Sequence, residues 1–339
     1  MPAPERLGGF KVLKDVVRIS LIQAGKNEDL PAGFFHMLAQ EKINLPFLTC
    51  GKEDHAWGLS IVVDSQNAQK ASSLVEENFC KIDLPTAKWA ILSIFPHRSN
   101  PEIMASLLHL LGREGVEPGA LAHSTSAISA VLREEVISKV TRALFGPFQF
   151  STYRTPADWS LAQTGKEMLY KEVVASYQEK KPKVYALEWQ DGQDLLRASM
   201  ETQDLGAMGT ALKGLSQLKL SLTFLIMTPS QAKRETNLFF CLPKSDKGSY
   251  ADMIKGLSPG IITSRASPVA LFSMNGPHFG DRYGIVSELF FALKKAQVEL
   301  LALSCSVASI NGVVPADHVH SAIHAIQACF DVPSVTKRA

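Results

Sequence analysis

Residues 89–144 read WAILSIFPHRSNPEIMASLLHLLGREGVEPGALAHSTSAISAVLREEVISKVTRAL. The stretch opens on an apolar run from Trp89 to Phe95, of strand length. Ser99-Asn100-Pro101 then starts a helix. Asn is a favoured N-cap, and a first-turn Pro lacks only an N–H that has no intrahelical partner. Ile103, Leu107 and Leu111 recur at i, i+4 and i+8, one face of that helix. Gly119 to His123 and Ile128 to Leu132 are strand-like, and Glu134 to Leu144 forms a second helix. The order is strand, helix, two strands, helix.

That order recurs along the chain. In the first copy, Val17, Ile19 and Leu21 alternate with Arg18 and Ser20, a half-buried strand. Asp29 is an N-cap and Pro31 lies in the first helical turn. Phe34, Met37 and Leu38 line one helical face. Strands follow at Leu45–Cys50 and Trp57–Val63, then a helix from Ala68 to Glu77. The last copy begins with a strand from Val269 to Met274. Its first helix carries Ile285, Leu289, Leu293 and Ala296 on one face. Strands near 300–304 and 309–314 follow, and a helix from Ala316 to Phe330. A third copy is less regular. Val184–Trp189 and Leu195–Glu201 read as a hairpin turned at Asp191-Gly192. A helix over 206–216 and strands at 220–227 and 238–242 complete it. Residues 151–183 differ from all of these and form a linker, with a helix over 166–180 packed on a domain surface. The expected division is therefore 12–83, 84–150, 184–265 and 266–333 for the modules, with 151–183 as the linker.

The 339 residues carry 35 basic and 33 acidic side chains, for a formal net charge of +2. This balance provides no electrostatic footprint for nucleic acid. No segment reaches the run of about 18 apolar residues that a membrane helix needs. The five cysteines, Cys50, Cys80, Cys241, Cys305 and Cys329, are scattered and never form a C-x-x-C pair. Reduced thiols in a cytoplasmic protein are expected.

The quoted stretch resembles the second ACT module of an aspartate kinase. There a helix start containing Pro, a Gly-Val end and a Ser-Thr-Ser junction occur in the order of Asn100-Pro101, Gly115-Val116 and Ser124-Thr125-Ser126. Ser304-Cys305-Ser306 resembles the same junction in the last copy. Asp29-Leu30-Pro31-Ala32 and Ile43-Asn44-Leu45 resemble the family's first module, and Asp204-Leu205-Gly206 is a partial match in the third. The resemblance implies an α+β fold of four ferredoxin-like βαββαβ modules in two tandem pairs, with antiparallel sheets and helices on one face. Only about a dozen residues precede the first module, and no Gly-rich phosphate cradle followed by Lys-Ser or Lys-Thr is found. The chain is thus expected to resemble the regulatory region without the kinase domain, and not to be an enzyme.

The function implied is a non-catalytic regulatory protein that binds a small effector, an amino acid above all, between paired modules. Alternatives are a separate regulatory subunit of an amino-acid biosynthetic enzyme such as an aspartate kinase, and an oligomerisation scaffold with decayed sites. An unrecognised enzyme with a site between modules is a further alternative. A homodimer, and a biosynthetic enzyme as partner, follow from the same resemblance; no cofactor is implied. Family members bind effectors at the loop before the first helix, where free N–H groups and the positive dipole end suit a carboxylate. This makes Asp29, Ala32, Ser99 and Asn100 candidate contacts in one half, and Asp204, Gly206, Asp281 and Tyr283 in the other. The junction serines Ser124, Ser126, Ser304 and Ser306 lie nearby by analogy. Asp29, Ser99, Asn100 and Asp204 serve equally as ordinary N-caps. The family's helix-start glycine is replaced by Ala32 and Glu102, and its strand-ending Gln by Cys50. Gly276, Gly280 and Gly284 do not have dinucleotide-fingerprint spacing and read as turns. Asp317, His318, His320 and His324 lack a third ligand and the H-E-x-x-H pattern, so no metal site is read there. No catalytic triad or nucleophile elbow is present.

Overall fold

The computed structural model describes residues 4–24, 30–79, 87–96, 100–124, 126–163, 181–231, 235–244, 262–276, 279–280, 282–306 and 309–338. The first half runs β1 (Glu5–Ala24), α1 (Leu30–Gln40), β2 (Phe47–Glu53), β3 (Ala56–Asp64), α2 (Ala68–Asn78), β4 (Trp89–Pro96), α3 (Pro101–Arg113), β5 (Ala120–His123), β6 (Ile128–Arg133), α4 (Ile137–Ala143) and β7 (Phe148–Phe150). A helix, α5 (Pro156–Gln163), follows; the expected linker helix over 166–180 lies outside the described residues. The second half runs β8 (Ala186–Glu201), α6 (Leu205–Gln217), β9 (Phe224–Pro229), β10 (Glu235–Pro243), β11 (Ile262–Asn275), α7 (Ile285–Lys295), β12 (Ala302–Cys305), β13 (Ser309–Pro315), α8 (Val319–Cys329) and β14 (Val335–Lys337). The protein is a mixed α+β fold with one large sheet.

Hydrogen bonding in the sheet repeats between the halves. Neighbouring strands in the first half follow the order β5-β6-β4-β1-β3-β2, and in the second β12-β13-β11-β8-β10-β9. The two six-stranded halves are thus related by a pseudo-twofold. Each half has two edges, and each edge finds its complement in the other half. Leu48 of β2 lies opposite Cys305 of β12, and His123 of β5 opposite Leu225 of β9. Twelve strands close into a ring, which leaves no row of unpaired N–H and C=O groups along those edges. The short strands β7 and β14 add to it in parallel, beside β1 and β8.

Neighbouring copies share a half-sheet through one long strand, and edge-to-edge pairing runs between halves. In β1, residues 16–24 pair with β3 and residues 7–13 with β4, and the register shifts at Asp15, whose φ is 55°. The expected hairpin at Asp191-Gly192 is likewise one continuous strand, β8. Gly192, at φ 64°, lets the strand shift register without reversing. Both flanks of β8 bond to β11, so they have no need to bond each other.

Period-2 alternation sorts side chains to the two faces of the ring. Outward residues such as Ile19, Leu59, Phe272 and Ile310 meet α1, α2, α7 and α8 in one core. Leu92, Leu121, Leu225 and Phe240 meet α3, α4 and α6 in a second. A third core fills the ring, and every one of the twelve strands contributes to it, from Val16 and Phe47 through Ile91 and Phe224 to Val313. Packing across this interior is close. The Thr49 hydroxyl on β2 donates to the Met227 carbonyl on β9 at 2.8 Å. A Cβ at Gly51 would lie 2.5 Å from the Phe239 ring on β10. Gly51→Ala should therefore cost about 1–3 kcal/mol of stability through overpacking. Adding Phe239→Leu should restore part of the loss, and urea denaturation of both variants provides the comparison.

Candidate functional site

The pseudo-twofold creates two equivalent helix contacts, α3 against α6 and α7 against α1. In the first, the N-terminus of α3 meets the C-terminal end of α6. The Asn100 carboxamide oxygen accepts from the Glu102 N–H at 3.0 Å and from the Ser216 hydroxyl at 3.3 Å. Ser216 also approaches the Glu102 carboxylate at 3.5 Å. Further along, a Cβ at Gly209 would lie 3.1 Å from the Ala105 carbonyl, and one at Gly112 would lie 3.9 Å from the Gly206 Cα. The helices touch through small residues, and the helix start is filled by the chain's own side chains.

The second contact is built differently. Gly284 caps α7 in the left-handed region, at φ 86°, and no side chain caps the helix. First-turn N–H groups without a side-chain cap are the donors that suit an anion. Asn44, at the end of the α1 segment, donates through Nδ2 to the Gly280 carbonyl, while its Oδ1 is buried with no hydrogen-bond partner. Arg282 stands in the loop before the cap, within electrostatic reach of Glu288 on the next turn. An open groove of about 1280 Å³ borders this helix start, lined by Arg282, Tyr283, Gly284 and Ser287 on one side and His36 and Gln40 of α1 on the other. Helix-start donors without a side-chain cap and a guanidinium therefore border this groove, and the buried Asn44 Oδ1 lies on the segment bonded to the Gly280 loop that leads into it.

The expected site residues fall into distinct places. Tyr283 lines the groove. Asn100 is a cap already satisfied within the chain. Ala32 is buried among core side chains, Gly206 lies at the α3–α6 contact, and Asp204 ends an exposed turn without capping α6. Ser124 and Ser306 face each other's neighbours inside the ring. The Ser124 hydroxyl bonds with those of Ser126 at 3.1 Å and Ser309 at 3.3 Å, and Ser306 bonds with Ser309 at 3.0 Å. Ser304 is buried on β12 opposite Asn311. Asp29, Ser99 and Asp281 lie outside the described residues. Arg282 and Asn44, which stand at this helix start, were not among the expected contacts. The only signals were a lone basic residue in a Gly-rich loop and the Asn of Ile43-Asn44-Leu45.

Other reactive side chains serve the core. Burial pushes the Cys50, Cys241 and Cys305 thiols well above their ordinary value. Those three and Cys329 are free. His318 accepts from the Glu299 N–H and His320 packs edge-on against Trp189. Among the described residues no group of three or more metal-ligating side chains gathers. Among them, too, no helix is long and apolar enough to cross a membrane.

No family model matches the chain, and no curated protein matches it. Solved structures do. An aspartate kinase from Synechocystis superposes on 96% of this chain with a TM-score of 0.77 at 15% identity. The chain spans 56% of the length of that structure. Regulatory subunits of aspartate kinase from Thermus flavus and Thermus thermophilus match 44% and 45% of this chain, with TM-scores of 0.39 and 0.37 at 14% and 15% identity, over 99% and 100% of their own lengths. The Synechocystis match corrects the expectation of a regulatory region without a kinase domain, and with it the non-catalytic regulator, its separate-subunit and scaffold alternatives, and the reading as no enzyme. The structure that superposes on nearly the whole of this chain is an aspartate kinase.

His123 ends β5 fully buried, with Nδ1 unpartnered, and desolvation lowers its pKa from 6.5 to about 4. Between these values the unfolded chain binds a proton that the folded chain refuses, so stability falls as pH drops through this window. Wild type should lose about 2 kcal/mol between pH 7 and pH 5 from this group. His123→Leu should remove that loss, read from urea midpoints at the two pH values.

Proposed function

We propose that the protein is a kinase-like enzyme of the aspartate-kinase kind, and that these residues place its activity under control of a free amino acid bound at the start of α7. The observation that carries this proposal is the contrast between two pseudo-equivalent helix starts. The α3 start is closed by Asn100 and Ser216, whereas the α7 start has a glycine cap, a guanidinium and an orphaned acceptor beside a groove.

The chemistry matches an α-amino acid. Its carboxylate is held by the first-turn N–H groups of α7, helped by the positive helix end and by Arg282. Its ammonium donates to the buried Oδ1 of Asn44, which relieves an unsatisfied acceptor costing about 1–3 kcal/mol. The side chain points along the groove beside Tyr283. Because α7 and Asn44 belong to opposite halves, ligand binding bridges them, and a bridge between halves is a means of shifting an equilibrium between arrangements.

The finer architecture belongs to this proposal too. We read four βαββαβ units, divided at 12–83, 84–150, 184–265 and 266–333, with 151–183 between the halves. The first and fourth units meet at β2–β12 and the second and third at β5–β9. A homodimer in the cytoplasm fits the reduced thiols and the aspartate-kinase likeness.

Two measurements test the proposal separately. Aspartate-dependent ATP turnover by the full-length protein supports the kinase reading, and its absence overturns that reading. In a thermal-shift screen of the twenty amino acids, one at 100 times its dissociation constant should add about 2.7 kcal/mol. Arg282→Gln and Asn44→Ala should each weaken that ligand about tenfold or more, a loss of at least about 1.4 kcal/mol. Unchanged affinity in both would remove the site from the α7 start.

A further inference from the structure

We infer that one mouth of the strand ring is a second binding site, for a small doubly charged oxyanion held between Arg18 and Arg133. The site lies where β1, β4 and β6 approach β9 and β10, and it encloses a cavity of about 480 Å³. Both guanidiniums lie over the Trp89 ring, Arg18 at 5.4 Å and Arg133 at 4.6 Å from its centroid. Two like charges on one aromatic side chain repel each other, and a cation–π contact offsets this only in part.

Among the described residues neither arginine has a carboxylate partner. Glu117, Glu135 and Glu235 line the same cavity but are exposed, and none forms an ion pair with Arg18 or Arg133. Arg18 donates one bond, from Nη2 to the Ser60 hydroxyl at 3.4 Å, and its Nε is buried with no partner. Burial, and then the charge of Arg133, lower the Arg18 pKa to about 10. An orphaned Nε beside a second guanidinium is a donor set that a phosphoryl or carboxylate group completes, since these present paired oxygens to the planar fork.

The fold itself does not demand these side chains. Trp89 pairs with Arg133 across β4 and β6, immediately before a 3-10 turn. The pseudo-equivalent pair across β11 and β13, also immediately before a 3-10 turn, is Val269 and Pro315. One mouth of the ring is cationic and aromatic where its twin is apolar. The site is separate from the α7 start, and stands or falls without it.

Thermal unfolding of the full chain in inorganic phosphate, in succinate and in sodium chloride at matched ionic strength tests the assignment. Phosphate or succinate should raise the melting temperature by roughly 2–4 °C beyond chloride, with saturation. The responding anion tells a phosphoryl source from a carboxylate one. Arg133 is exposed, so Arg133→Gln should fold, and it should abolish the excess shift. Arg133→Lys, which keeps the charge and loses the fork, should retain part of it. An equal shift in wild type and Arg133→Gln, or no excess over chloride in wild type, overturns the site.

Discussion

An open sheet has two edges, and each edge strand exposes a row of backbone donors and acceptors that must be paired or covered. A six-stranded half of this protein carries such edges at β2 and β5, and the other half carries their equivalents at β9 and β12. Pairing them crosswise closes the ring, and much else follows from that closure. It brings two sheet walls face to face, which is why small residues and glycines such as Gly51 and Gly58 recur inside. It leaves helices on the outside only, because the inward face is already covered. It also places polar inward side chains, such as Ser93 with Ser129 and Ser273 with Asn311, where they bond with one another rather than with water.

The closure also duplicates every site. Each helix start, strand end and ring mouth occurs twice under the pseudo-twofold, so structural need can be separated from specialisation. Where both copies carry equivalent groups, as with Ser124 and Ser306, the shared role is in the architecture. Where they diverge, one copy has been released from that role. The cap at α3 is an Asn satisfied within the chain and the cap at α7 is a bare Gly. One ring mouth has Trp89 and Arg133 where the other has Val269 and Pro315. His123 and Cys305 make a third such pair, both buried at strand ends.

Most elements were legible along the chain because apolar periodicity is a local property. Alternation in Val17, Ile19 and Leu21 marks a strand whatever it pairs with, and the spacing of Ile103, Leu107 and Leu111 marks a helix. The misses have a common cause. Gly192 carries the local signature of a hairpin, yet β11 bonds both flanks of β8 and holds the strand straight. Asn100 and Gly284 both sit at helix starts, but only the groups contributed by the other half, Ser216 to one and Asn44 to the other, distinguish a closed start from an open one. The likeness to an aspartate kinase structure is in the same way a property of the complete arrangement and not of motifs taken one by one.

The sequence by itself determined the order of strands and helices, the two faces of each strand, and the α+β class, because these depend on residues within a few positions of one another. Tertiary structure decided which edges meet, and therefore which helix starts face which. Edge pairing is a contest among strands of similar local character that are far apart in the chain, from 251 residues between Gly51 and Ala302 to 257 between Leu48 and Cys305 where β2 meets β12. No local pattern selects the winner of that contest. Closure of the whole ring does, since the crosswise pairing satisfies all four edges at once.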